Sequence, residues 1–226
     1  MLRYRKGTAP ANLTALQATP NADYGALGAA DKAPLREALV RDQGALCAYC
    51  QRRIRAALDP STGLAAMKIE HWAPQSKRDP NSLRWRNLLG VCHGGAPGAA
   101  GPADDVRDQH CDVTRADHAL FLHPVEGEGP DPRQHLRYTA EGEVHSDDSR
   151  ATNDVRLLNL NADKLTRARA AIYSELMRDL KRRGFTAGEV KRLHIRHQVS
   201  PGVDAPVHLE FVRYHLERKL RRFGVG

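Results

Sequence analysis

The chain reads as an α+β protein, in which a small metal-clamped β module is embedded in a mainly helical domain that carries one further β-hairpin. Three observations predict this. All four cysteines fall between positions 47 and 111, opening with Cys47 and Cys50 as C-x2-C and followed by Cys92 and Cys111. Between them lies a short apolar-to-polar run, Ala66 to His71, of strand character. From Thr152 onward, apolar residues recur at helical spacing, as in Leu165, Ala168, Ile172, Leu176 and Leu180.

The totals restrict the possibilities. At 226 residues the chain fits one domain, or a small module wrapped by helices, and can bury about 70% of its unfolded surface. Lys plus Arg number 35 against 27 Asp plus Glu, a formal charge of +8. The excess suits a polyanionic partner or a basic solvated face. Aromatics at 5% argue against a base-stacking platform for single strands. No run approaches the roughly 18 apolar residues of a membrane span. The opening MLRYRKGTAP has no apolar leader core, so a cytoplasmic, reducing location is expected, where clustered cysteines bind metal more often than they pair.

Residues 1–30 read as an N-terminal arm with turns at Pro10 and Pro20, and Arg3, Arg5 and Lys6 as a solvated or phosphate-touching terminus. Residues 31–125 read as the metal-stabilised module. A helix over 33–42 is expected, capped by Asp31, with Pro34 in its first turn and Gly44 as its stop. It delivers the chain into a tight knuckle, Cys47 to Arg53. The turn Asp59-Pro60-Ser61-Thr62-Gly63 leads to the strand 66–71, then a loop over 74–80 and a helical turn over 83–89 carrying Asn87. GGAPGAAGPADD reads as a flexible insertion, tolerated because loop-closure entropy grows slowly with length. After Cys111 a short helix is expected up to His123-Pro124. Residues 126–226 read as a hairpin (136–139 with 143–145) plus helices, one of them opened by the capping box Thr186-x-x-Glu189, and a last one carrying Leu209, Val212, Leu216, Leu220 and Phe223.

Four thiolates are enough to close a tetrahedral zinc site, which is then structural. His93 and His110 flank the second pair and can replace one sulfur. Glu70-His71 has two readings: a surface charge pair, or the core of a hydrolytic site, in which imidazole takes a proton from water and a carboxylate holds a hard divalent cation. Adjacent strand residues face opposite ways, so the second reading requires a bend after His71. The basic residues Arg167, Arg169, Arg178, Lys181, Arg182 and Arg183, and Arg213, Arg218, Lys219, Arg221 and Arg222, either track a phosphate backbone or form a solvated or partner-facing surface. His194 and His197 read as ordinary histidines rather than ligands.

The order C-x2-C, IEHWAPQS, RNLL, Cys92, then HCD-x2-R resembles the HNH (ββα-metal) endonucleases. The resemblance implies a ββα-metal finger that hydrolyses phosphodiester bonds, DNA favoured and tRNA possible, with structural Zn2+ on Cys47, Cys50, Cys92 and Cys111 and catalytic Mg2+ or Mn2+. It implies His71 as general base, Glu70 as metal ligand and Asn87 as the middle Asn, orienting the His71 ring. The final position falls on Asp112, where the family has His or Asn; Asp112 is then either a metal ligand or a helix cap. Arg115, Lys77 and Arg78 are the implied phosphate contacts. LRYRKG, the GEV hairpin and ATNDVRLLNLNADKLTRAR extend the resemblance to the PtuB-type nucleases of Septu-type and retron-associated antiphage systems, implying an ATPase partner (PtuA-like). Two other readings remain: a zinc-dependent nucleic-acid or protein-binding module with a decayed site, and a stand-alone restriction or homing nuclease.

Overall fold

The structure, a computed structural model, describes residues 1–60, 63–74, 80–96, 104–198 and 202–225. Among these residues it is a mixed helical fold with two small antiparallel sheets. The helices are α1 (Ala11–Gln17), α2 (Lys32–Asp42), α3 (Asp112–Arg115), α4 (Pro132–His135), α5 (Ser149–Leu157), α6 (Asp163–Arg182), α7 (Ala187–Arg196) and α8 (Leu209–Arg222). Strand β1 (Lys68–His71) pairs with β2 (Leu88–Val91), Lys68 opposite Val91 and His71 opposite Leu88. Strand β3 (Arg137–Tyr138) pairs with β4 (Val144–His145). No helix among the described residues is long and apolar enough to cross a membrane.

The first residues are core, not arm. Met1, Leu2 and Tyr4 are buried. The Leu2 N–H donates to the Ala48 carbonyl, and Tyr4 forms a parallel bridge to Val125. The sequence has too few apolar residues here for periodicity to register, yet each one is seated. Lys6 is buried as well, donating to the Leu88 carbonyl with its ammonium 3.9 Å from the Trp85 ring centre, so it is no phosphate contact. Gln43, at the end of α2, ties these pieces together. Its amide donates to the carbonyls of Leu46 and Gly90, and its oxygen accepts from Gly90 N–H and the Tyr4 hydroxyl.

The expected helices form, with local differences. Asp31 does not cap α2 through its side chain; its carboxylate accepts instead from Gly28 N–H. The helix after Cys111 stops at Arg115, because Ala116 turns to φ 50°. Thr186 caps α7 by accepting from Glu189 N–H at 3.3 Å. Along α8, Leu209, Val212, Leu216 and Leu220 are buried, whereas Phe223 lies beyond the helix and is exposed. Two members of the basic tail are interior: Arg169 donates to the carbonyls of Gly142 and Leu160, and Lys219 lies over the rings of Tyr173 and Phe185. Arg167, Arg178, Arg182 and Arg183 pair with acids on their own helix. His194 bonds Glu217 and His197 bonds the Leu193 carbonyl, as ordinary histidines do.

Three histidines are buried without charge. Burial pushes His123 and His208 down to about 3, and His215 to about 4. Their folded values lie below the ordinary 6.5, so the unfolded chain binds more protons in the acid range. The stability they contribute is complete above pH 6.5 and is lost as pH falls toward their folded values. For His123 and His208 the loss is about 1.4 kcal/mol per pH unit each. The expected outcome is a denaturation midpoint markedly lower at pH 5 than at pH 7.5. His208→Asn, suited to the left-handed backbone at φ 52°, flattens that slope. An equal slope in wild type and variant counts against this origin.

Candidate metal centre and carboxylate site

Three segments converge on the cysteines. The knuckle is closed by Cys47 N–H donating to the Arg52 carbonyl and by Gln51 N–H donating to Cys47. Cys92 follows β2 directly. Gly94 then takes φ +60°, and a Cβ there would stand 2.0 Å from the His110 carbonyl. Only glycine permits this approach, which draws Cys111 up to Cys92. Cys111 itself has φ 61°, a strained setting for a side-chain-bearing residue, fixed by its N–H donating to the Leu158 carbonyl of the turn after α5.

All four sulfurs lie within 4.8 Å of one another and all four cysteines are buried. The separations are 3.8 Å for Cys47–Cys111, 3.6 Å for Cys50–Cys92 and 3.8 Å for Cys92–Cys111. A tetrahedron with zinc–sulfur bonds of 2.3 Å has edges of about 3.8 Å. The cluster therefore suits a metal ion such as zinc, held by four cysteines. Neither neighbouring histidine joins it: His93 donates to the Ala65 carbonyl, and His110 lies 3.8 Å from the Cys92 sulfur, beside the cluster. Burial works against ionising Cys111, whose thiol is pushed well above its ordinary value. A dry core of four thiols ionises fully only around a cation.

Beside this cluster, β1 and α3 bring two carboxylates together. Glu70 is drawn to Arg115, whose Nη1 donates to Oε1 at 2.6 Å. Asp112 accepts from the Lys68 ammonium through Oδ2 at 3.0 Å, while its Oδ1 is buried with no hydrogen-bond partner. That carboxylate caps no helix, which removes the capping alternative. Burial, opposed by Arg115 and reinforced by Asp112, pushes Glu70 up to about 7. Without a cation, Glu70 thus acts against the histidines, disfavouring the fold as pH rises from 4.5 toward 7.

Arg115 requires a correction. It is fully buried, so it is not a phosphate contact. Besides Glu70 it donates to the Tyr49 hydroxyl and to the carbonyls of His71, Trp72 and His118. Successive strand carbonyls point to opposite sides, so one guanidinium that reaches both His71 and Trp72 marks the bend the sequence required. The His71 ring meets Tyr24 edge-on at 4.6 Å, and its Nε2 lies 2.9 Å from the Ser82 carbonyl. A carbonyl only accepts, so Nε2 is the donor in this contact. Asn87 ends the turn before β2 and accepts Ala73 N–H at 2.7 Å, holding the backbone just past His71. Lys77 and Arg78, and most of the glycine-rich insertion, lie outside the described residues. Lys68 and Tyr49 complete the site. Sequence alone offered no sign of Tyr49, but the i, i+2 spacing of Lys68 from Glu70 could have suggested a shared face.

Two outcomes follow. Purified chain should carry one zinc, and Cys111→Ser or chelation should remove it together with the near-UV signal of the β1–β2 region; full retention of fold without metal contradicts the clamp. Arg115→Ala strands Glu70 and three carbonyls and should destabilise by about 3 kcal/mol or more, read from urea denaturation.

No protein-family model matches the chain, and no curated protein is significantly similar to it.

Proposed function

We propose that the chain is a metal-dependent HNH-type (ββα-metal) endonuclease with a structural zinc. The observation that carries this reading is that Lys68, on the same face of β1 as Glu70, bonds Asp112, the residue after Cys111 in the first turn of α3, so that both carboxylates lie near the cysteine cluster. An antiparallel β1–β2 pair followed by a helix, clamped by four thiolates, is the arrangement that the ββα-metal resemblance implies. The orphaned Asp112 Oδ1 has the chemistry of a hard-cation ligand awaiting its partner.

In this reading Glu70 and Asp112 would hold Mg2+ or Mn2+, and such an ion would supply charge neutralisation for phosphoryl transfer. His71 would take a proton from water as that water attacks phosphorus. The Ser82 carbonyl holds the ring by accepting from Nε2. Asn87 contributes by pinning the backbone at Ala73. Arg115 holds the bend and the Glu70 carboxylate from below. The resemblance alone carries the rest of the proposal: nucleic acid as substrate (DNA before tRNA), a role in antiphage defence, and an ATPase partner.

A second reading, a zinc-dependent binding module, draws on the Lys68–Asp112 ion pair, which neutralises one carboxylate without any metal. Cleavage separates the two. With Mg2+ or Mn2+, and with a co-expressed ATPase where needed, wild type should cut supercoiled plasmid or tRNA. His71→Ala should lower the rate about 10²- to 10⁴-fold with zinc content and fold unchanged. Cutting at the wild-type rate removes His71 as base, and binding without cutting under every condition favours the module.

A further inference from the structure

The carboxylate pair is flanked by two cations of different kinds. Arg115 is fully buried and donates to Glu70, Tyr49 and three backbone carbonyls, so it is fixed in place. Lys68 is the opposite case. Its side chain is 38% exposed and its ammonium makes one contact, 3.0 Å to Asp112 Oδ2, itself on a side chain only 15% exposed. Lys68 and Glu70 are two apart on β1 and share a face, so the ammonium lies at the mouth of the same site. With both carboxylates ionised, the four charges, Glu70 and Asp112 against Lys68 and Arg115, sum to zero. A divalent cation that enters with Lys68 still in place leaves an excess of two positive charges in a half-buried site. Entry with Lys68 expelled leaves only one, and a lysine on a flexible stem rehydrates readily, whereas the clamped guanidinium does not.

We propose that Lys68 is an internal competitor for the divalent cation: its ammonium occupies Asp112 until the metal displaces it, and so raises the metal concentration at which the site fills. This rests on the reading of Glu70 and Asp112 as the cation ligands. Ammonium and divalent cation exchange at Asp112, and the released Lys68 side chain swings to solvent or to an arriving phosphate. The site thereby resists monovalent ions, which bring too little charge to displace the lysine, and it fills only above a threshold of Mg2+ or Mn2+.

The test is Mn2+ binding to the zinc-loaded chain, read by the electron-spin-resonance signal of free Mn2+ at constant ionic strength. Lys68→Gln should bind Mn2+ about tenfold more tightly than wild type. Lys68→Arg should bind no more tightly than wild type, and Asp112→Asn should lose binding. Equal or weaker binding by Lys68→Gln, with Asp112→Asn still defective, overturns the competitor and leaves the ligand reading intact. Absence of Mn2+ binding in every protein overturns both. In wild type, where folding of a variant is no issue, reductive methylation of Lys68 should speed up several-fold when Mn2+ is added; unchanged reactivity counts against displacement.

Discussion

Four thiols forced into one dry pocket are the constraint on which the rest of the structure depends. The knuckle and β2 reach the core through Tyr49, Ile54, Leu88, Leu89 and Val91, and the start of α3 joins them through Cys111. Their sulfurs meet in one cluster that could hold a metal ion such as zinc, and such an ion would tie the three segments to one point. The strained φ of Cys111 and the backbone approach at Gly94 are tolerated because the cluster over-determines both. The knuckle is in turn bonded to α8, through Gln51 accepting from His208 and Glu210 N–H, so the helical half is referenced to the same point.

Arg115 extends that reference to the carboxylates. A guanidinium presents five donors in a rigid fork. Here they are divided among a tyrosine hydroxyl, one carboxylate and three carbonyls, and none faces solvent. Arg115, in the same short helix as Asp112, therefore fixes the bend at the end of β1, after His71. Cysteine cluster, bend and the two carboxylates form one mechanical unit.

Much of this was legible in the sequence, for reasons that differ by residue. The cysteines were visible because their chemistry needs few contexts and their spacing is restrictive. The helices α6, α7 and α8 were visible because apolar periodicity and the Thr186 cap are local signals. Glu70 and Asp112 were visible only through a family pattern, since nothing local joins two carboxylates so far apart in sequence. The N-terminal segment was misread because its few apolar residues pair with Ala48 and Val125, partners that no window of sequence contains. Arg115 was misread because a basic residue near a carboxylate site looks the same on paper whether it faces a phosphate or the protein's own carbonyls.

The parallel bridge between Tyr4 and Val125 has a consequence for how the chain assembles. Tyr4 is synthesised well before the residues around 125 to which it docks, and the helix that supports Gln43 comes between. Contacts of such sequence separation form late, because the loop entropy is lost before the contact rewards it. During synthesis Tyr4 must therefore wait for this partner until the segment after α3 has emerged. The growing chain is most open to chaperones, and to misassociation with another copy, in that interval.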